Sequence, residues 1–459
     1  MGRTDKIYAK LPTIGQHAAV SMYGAYWRWL RFGPGYSSEL RGFLARESFS
    51  ASEWQTWQQN RLQRMLKNAA EHVPYYREKW SPAAKAAAAS GRIQDIPLLE
   101  KEPLRADPEA FVRRDLRFWP RLVFHTSGTT GTPLASIWTV NELRRSQALR
   151  EARSARIAGV SFDRPRATFS GRIVEPDPNS RGPYYRFNLA ERQAYLSPFH
   201  LGPDTAAAYV AALRDRRIEW LTGYAVSYYL LAEFILANDL DVPPLKAVIT
   251  TSEKLTTKMR SRMMQAYGCP IFEEYSTVEN TLFASDCEAG RLHVSPDAGL
   301  IEILRPDGSA CEPGEPGEVV ATGFIREAQP LIRFRLGDIA SWDDQECACG
   351  RALPVLKEVI GRIEDVVVGP DGRQMVRFHG IFVDQAHVRE GQIVQESRNS
   401  IRVRVVPTNG FGPLDVEDIV NRVQQRLGPA VTVRVDCVDR IPRTSSGKFR
   451  AVISDMEPD

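Results

Sequence analysis

The chain has 459 residues, 43% apolar and 25% charged, and its 60 Lys plus Arg against 56 Asp plus Glu leave a formal charge of +4. That length accommodates two or three domains with a substantial core, and so even a balance argues against nucleic acid or an anionic membrane as the main partner. Six cysteines in so long a chain exclude a disulfide scaffold, and no apolar run reaches the roughly 18 residues of a membrane span.

The opening MGRTDKIYAK lacks the apolar core of a secretory signal. Met1-Gly2 resembles the start of a myristoylation site, but Lys6 stands where Ser or Thr is expected. A cytoplasmic protein with reduced thiols, monomer or homodimer, is the expectation. Residues 1–100 read as mainly helical. RLQRMLKNAAEHVPYYREKW sets Leu62, Met65, Leu66 and Ala69 at helical spacing, with Pro74 closing that helix. PAAKAAAAS predicts a short helix capped by Gly91.

HTSGTTGTPL, residues 125–134, follows the apolar stretch Leu122-Val123-Phe124. Gly128 and Gly131 let the backbone turn sharply and approach a ligand closely. Ser127, Thr129, Thr130 and Thr132 supply hydroxyls, and successive N–H groups form an anion nest. This is either a phosphate loop or a flexible Ser/Gly loop. It is not a Walker A loop, and neither is SSGKFR, where Pro442 occupies the required glycine position.

From 201 to 276, helices and strands alternate: DTAAAYVAALRDRR, IEWLTGY, VSYYLLAEFILAN, LKAVITTS, TTKMRSRMMQAYG, PIFEEYS. Right-handed crossovers and a parallel sheet follow. Ligands gather beyond the carboxyl ends of such strands, where Gly223-Tyr224, Thr251-Ser252-Glu253 and Tyr275-Ser276-Thr277 lie; plain turn chemistry accounts for polar residues there equally well. Short strands and Gly/Pro turns from about 295 to 345 predict an antiparallel β subdomain. A smaller α+β unit follows a boundary near 362–366 and ends in RTSSGKFR. The fold class is therefore α/β, a large lobe of parallel or mixed sheets and helices (1–362) with a small α+β C-terminal domain (363–459).

SGTTGTP resembles the phosphate-loop signature of the acyl-adenylate-forming superfamily, whose members activate carboxylic acids with ATP. Further motifs recur in order. Thr251-Ser252-Glu253 resembles the loop bordering adenine. EEYSTVE, 273–279, resembles the aromatic-Gly-x-Thr-Glu motif, and Phe334-Arg335-Leu336-Gly337-Asp338 resembles Tyr-Arg-x-Gly-Asp. GRIED, 361–365, resembles the Gly-Arg hinge, and SSGKFR the terminal loop with the catalytic lysine. VPYYREKW, PFHLGPDT, LTGYAVSYYLLA, CEAGRLH, CACGR and RTSSGKFR are similar to the phenylacetate–CoA ligase branch and its CapK-like, capsule-biosynthesis group. The resemblance spans roughly 60–455. It departs at Thr132, where the family has lysine; at Ser276, where it has glycine; and at Val278, where a hydroxyl residue precedes Glu279. Thr277 offers that hydroxyl one position early.

The resemblance implies a role for each position. Ser127, Gly128, Thr129, Thr130 and Gly131 would hold the β- and γ-phosphates of ATP, and Glu279 would bind Mg²⁺. Ser252, Glu253, Glu274, Tyr275 and Ser276 would border the nucleotide. Asp338 would accept the ribose hydroxyls, with Arg362 beside them. Lys448 would bridge the carboxylate and the α-phosphate, and the small domain would rotate about the hinge near Glu364 between half-reactions. The acyl acceptor would be the coenzyme A thiol; an amine, a hydroxyl or a carrier protein is also compatible. Taken singly, these residues admit plainer roles: Lys448 a surface charge, Asp338 a turn residue, Glu279 a helix N-terminal carboxylate, Arg362 a surface ion pair, Glu364 a linker carboxylate. A non-catalytic nucleotide-binding descendant is the alternative from another class.

Cys287-x₅-His293 and Cys347-x-Cys349 together offer three thiolates and one imidazole, either a tetrahedral Zn²⁺ shell or free buried cysteines beside a strand histidine with an ordinary hydrogen bond. Members of the phenylacetate branch carry a similar set, which implies a closed, structural zinc. Cys269, Cys311 and Cys437 have no evident partner. The acid pocket is expected near His200, Gly223, Tyr224, Ala225 and Tyr228, with His200 either a wall or a capped loop histidine. Arg172 and Arg186 are candidates to pair with a polar or anionic acid or to face solvent.

Overall fold

The computed structural model describes residues 7–125, 134–172, 174–177, 179–362, 367–370, 374–375, 381–382, 385–444 and 449–454. Local signals place the first helices. Ser50 accepts from the Glu53 N–H while the Glu53 carboxylate accepts from the Ser50 N–H, a capping box that starts Ala51–His72. Leu62, Met65, Leu66 and Ala69 are all buried on that helix. It stops at His72, and Pro74 takes the first position of a new short helix, Pro74–Lys79. Gly91, at φ +75°, caps Pro82–Ser90.

Twelve strands form one continuous sheet. Its parallel part runs, in spatial order, Gln193–Leu196, Arg166–Phe169, Trp220–Tyr224, Ala247–Thr251, Ile271–Ser276. Helices Ala206–Asp215, Ala225–Ala237 and Thr257–Tyr267 supply the crossovers. Chain order reverses at Arg166–Phe169, whose neighbours on either side are both later in sequence. The crevice outside strand tips at such a reversal is where α/β sheets bind ligands. A core of Phe169, Leu196, Tyr209, Leu221, Tyr228, Leu231, Val248 and Met263 packs sheet against helices.

The strands between 299 and 343 do not form a sheet of their own. The hairpin from Ile271–Ser276 to Phe283–Asp286 turns the sheet antiparallel, and Leu292–Val294, Val355–Arg362, Phe334–Asp343, Gly317–Gly323 and Gly299–Leu304 extend it in that order.

The chain divides into two compact units, Met1–Leu336 with Ser341–Glu358, and Gly337–Ala340 with Val359–Asp459. Within the second, a four-stranded sheet runs Thr432–Cys437, Ser400–Pro407, Val388–Ser397, Val452–Ser454. Helix Pro413–Leu427 buries Ile419, Val423 and Leu427 together with Ile393, Ile401, Val403 and Val405. The fold class is thus mixed α/β, with a large sheet, helices and a small C-terminal domain.

Candidate active site

The register aligns the tips of the parallel strands in two rows. Phe169, Gly223, Thr250 and Glu273 pair across the first, and Tyr224, Thr251 and Glu274 across the next. Gly223 is obligatory in the first row. Its φ is +133°, and a Cβ there would lie 2.0 Å from the Phe169 carbonyl oxygen. Tyr224 begins the second row, and burial, then the nearby Glu253 carboxylate, pushes its phenol up to about 12.

After Thr251 the chain turns through Ser252 at φ +70°, outside the region most side chains adopt. That turn aims Glu253 back across the tips, where its carboxylate accepts from the Val226 N–H at 2.9 Å. Tyr224, at the N-cap of helix Ala225–Ala237, gives no side-chain cap, so Glu253 fills that role.

Glu274 is buried and paired with Arg150, whose Nε and Nη2 both donate to Oε2, at 3.1 and 2.6 Å. Tyr275 is half-buried and Ser276 exposed at the strand end. One residue on, Thr277 Oγ1 is buried with no hydrogen-bond partner among the described residues. An unspent buried hydroxyl at a strand tip is what a ligand contact requires. Glu279 is buried, in a turn rather than at the start of a helix. Its backbone carbonyl accepts from Arg326 Nη1 at 2.9 Å. Arg326 is wholly enclosed, and burial pulls its guanidinium down to about 10 against the opposing carboxylates of Glu142 and Glu279.

Asp338 is buried on strand Phe334–Asp343, after Gly337 at φ +73°. Ser127, Gly128, Thr129, Thr130, Gly131, Thr132, Glu364 and Lys448 lie outside the described residues, as does the Arg362 side chain. The described residues on either side of Lys448 make definite contacts. The Arg443 guanidinium lies over the Phe449 ring at 4.8 Å, Gln392 Nε2 donates to the Arg450 carbonyl at 2.8 Å, and Val452 pairs with Ile393.

The pocket candidates separate. Gly223 and Tyr224 sit at the tips. Ala225 and Tyr228 are core: both are fully buried, and the Tyr228 hydroxyl is engaged by the Phe169 N–H and the Ala167 and Thr222 carbonyls. His200 is a loop histidine, its Nδ1 2.8 Å from Ser197 Oγ and its Nε2 2.8 Å from the Asp177 carbonyl, its ring stacked on Tyr184. Arg172 is exposed over the Tyr195 ring. Arg186 does not face solvent. It is buried and paired with Glu175 at 2.7 Å, and it also donates to Gln16 and two carbonyls. Arg150 and Arg326 carry no signal in the sequence, because an arginine read alone looks like a surface residue.

Cys287, His293, Cys347 and Cys349 converge, their ligand atoms all within 4.8 Å of one another. The pairing of Leu292 with Leu356 and of His293 with Val355 brings the two segments together. Cys287 Sγ is 3.6 Å from Cys347 Sγ, and Cys349 Sγ is 3.4 Å from His293 Nε2. A tetrahedron with Zn–S bonds of about 2.3 Å has edges of about 3.7 Å, so these residues fit zinc. His293 Nδ1 is 3.1 Å from the Leu353 carbonyl, which leaves Nε2 toward the cluster. Arg351, held by Glu47 and Glu288, lies against Cys349. No two of the six cysteines form a disulfide.

A family model described as the CapK C-terminal domain matches residues 369–455. Protein CapK of Staphylococcus aureus is 23% identical over 468 residues, spanning 98% of this chain and 99% of that protein. The phenylacetate-coenzyme A ligase of Escherichia coli (strain K12) is 26% identical over 351 residues, covering 74% of this chain and 76% of the relative. Among solved structures, a 2-hydroxyisobutyryl-CoA ligase in the postadenylation state, in complex with R3-HIB-AMP, is similar with a TM-score of 0.69 at 23% identity. That likeness covers 89% of this chain and 91% of that one, and it shows the shared fold.

Proposed function

We propose that this chain, a homologue of Protein CapK over nearly its whole length and of the phenylacetate–coenzyme A ligases over about three quarters of it, activates a carboxylic acid as its acyl-adenylate. A carboxylate is a poor acyl donor, because its leaving group is oxide. Attack of a carboxylate oxygen on the α-phosphorus of ATP forms an O–P bond and breaks the bond to the β-phosphate oxygen. Pyrophosphate departs, and the acid carries AMP as a good leaving group. Both reactants are anionic, so the site must offset their repulsion and hold them in line.

The observation that carries this reading is the alignment of Gly223-Tyr224, Thr251 and Glu274 at adjacent strand tips, with the unspent Thr277 hydroxyl directly after the last strand. Thr277 would donate to an α-phosphate oxygen, and Ser252, Glu253, Tyr275 and Ser276 would border the base. Glu279 would hold Mg²⁺, which neutralises phosphate charge when bound. The 127–131 loop would wrap the outer phosphates, Asp338 and Arg362 would take the ribose, and Lys448 would meet the charge developing between carboxylate and α-phosphate. Coenzyme A would then receive the acyl group through its thiolate, with release of AMP. The Cys287, His293, Cys347 and Cys349 set would hold a structural zinc with no open position for chemistry.

Carboxylate-dependent exchange of labelled pyrophosphate into ATP, run across a library of acids, tests the reading. At least one acid should support exchange, and Lys448→Ala should lower it by orders of magnitude while ATP still binds. ATP binding with no exchange for any acid would instead establish a nucleotide-binding protein without ligase activity. Adding coenzyme A, an amine or a carrier protein to the active acid then identifies the acceptor.

A further inference from the structure

Helix Thr13–Phe32 lies against the edge strand Tyr185–Asn188. His17 Nδ1 accepts from the Phe187 N–H at 2.8 Å, and Ser21 Oγ accepts from the Leu189 N–H at 3.1 Å. Gly24 lets the two approach, since a Cβ there would fall 2.1 Å from the Asn188 side chain. Arg31 pairs with Glu191. At about 100° per residue, positions 17, 21, 24 and 31 share one side of the helix.

The other side carries Ile14, Ala18, Met22, Ala25, Tyr26 and Trp29, and every one is exposed. Ile14 is 83% exposed, Met22 70%, Trp29 56% and Tyr26 49%. A surface helix normally turns its charged residues outward. Here the polar groups face the protein, and the outward stripe contains no charge.

Charge surrounds the stripe instead. Between residues 7 and 38 the chain has Lys10, Arg28 and Arg31 and no acidic residue. Arg28 also opens into a cavity of about 310 Å³ lined by Asp163, Arg164, Ala190, Glu191 and Arg192. Glu191 is neutralised by Arg31 and Arg166, and among the described residues Arg164 and Arg192 form no ion pair. With Glu191 neutralised, Arg28, Arg164 and Arg192 stand against Asp163 alone, so the cavity is net positive, and Arg28 links it to the helix that carries the apolar stripe.

We propose that this face seats the protein on an anionic bilayer. Ile14, Ala18, Met22 and Ala25 would enter the headgroup–acyl boundary, with Tyr26 and Trp29 at the level that aromatic side chains favour. The guanidinium groups of Arg28, Arg164 and Arg192 would receive a lipid phosphate. Charge complementarity selects this occupant. A second copy meeting the same face about a two-fold axis, the helices antiparallel, would set the Lys10 end of each chain toward the Arg28 end of the other, cation against cation. A local surface of this kind is compatible with an overall charge of only +4.

The test is co-sedimentation of the full-length chain with vesicles of mixed phosphatidylglycerol and phosphatidylcholine, against vesicles of phosphatidylcholine alone; the readout does not depend on ligase activity. The wild type should pellet with the anionic vesicles, less so as salt is raised. Met22→Glu with Trp29→Glu should weaken binding at least about tenfold. Ala18→Glu, which removes no packing contact, should act in the same direction, and Arg164→Glu with Arg192→Glu should lower binding to anionic vesicles. Wild-type protein left in the supernatant with both vesicle types overturns the proposal. So does equal binding by the glutamate variants, or a dimer that those variants dissolve in a protein that ignores vesicles.

Discussion

The Glu253 carboxylate takes the Val226 N–H at 2.9 Å, so the loop leaving one parallel strand caps the helix that follows the neighbouring strand. Two of the three loops expected to border the nucleotide are thereby tied together. Glu253→Ala should cost about 1 kcal/mol, the usual worth of a helix cap, read from urea unfolding. It should also weaken ATP binding in equilibrium titration, because the capped N-terminus sets where Gly223 and Tyr224 stand. Glu253→Gln, whose amide oxygen still accepts, should restore most of the stability. Equal loss in both variants would show that the charge matters and the cap does not.

Gly223 is under a stricter constraint. Any side chain there must displace the Phe169 carbonyl, which is backbone in the middle of the sheet. Gly223→Ala should cost more than about 3 kcal/mol, as a fall in the thermal midpoint. Any folded remainder should show pyrophosphate exchange reduced together with ATP binding. Gly290, also at positive φ but with nothing near its missing Cβ, is the control. Gly290→Ala should cost only the strain of its φ, about 1 kcal/mol.

Why the strand tips were legible and other parts were not follows from what each segment buries. Trp220–Tyr224, Ala247–Thr251 and Ile271–Ser276 alternate with helices of 10 to 13 residues, and that rhythm announces a parallel sheet. Arg166–Phe169, Tyr185–Asn188 and Gln193–Leu196 complete the same sheet with four residues each. They turn Arg166, Asn188 and Gln193 inward, satisfied by Glu191 and one another. Buried polar residues leave no apolar alternation to read. Depth was the other blind spot. Tyr224 and Tyr228 are one helical turn apart, and only the fold separates a strand tip from the core. The metal-type cluster was legible in residue type but not in proximity, because the pairing of Leu292 with Leu356 has no local signature.

Glu273 supplies a pH signature. Burial pushes its carboxyl up to about 7, the Asp286 carboxylate adds to this, and Arg260 and Lys254 pull the other way. The Leu255 N–H donates to it at 3.4 Å. A carboxyl whose folded value is raised binds its proton more tightly in the native state than in the unfolded one. Stability therefore falls as pH rises from the ordinary carboxyl value through about 7, and the penalty is complete above that. Glu273→Gln mimics the protonated form. In urea unfolding the variant should match the wild type near pH 4 and exceed it at pH 8. A difference that stays constant across that range would show that Glu273 does not titrate in the window.

The cysteine–histidine cluster gives the last prediction. Its four ligands come from two segments, 287–293 and 347–349, on either side of the antiparallel strands. A metal ion there would staple a long loop, and its binding energy would count toward folding. Protein purified without added metal should contain about one equivalent of zinc per chain by elemental analysis. Cys349→Ser should release it and lower the thermal midpoint by several degrees. Cys311→Ser, at a buried thiol outside the cluster, should keep the zinc. Four protein ligands leave no position for substrate, so exchange activity should fall only in step with the folded fraction. Activity lost from protein that remains folded would move the metal from a structural to a catalytic role. Metal content far below one equivalent would leave the four side chains as a packed but metal-free cluster, held by the strand pairing, the Arg351 ion pairs and the Arg291 bonds to the Gln345 and Glu346 carbonyls.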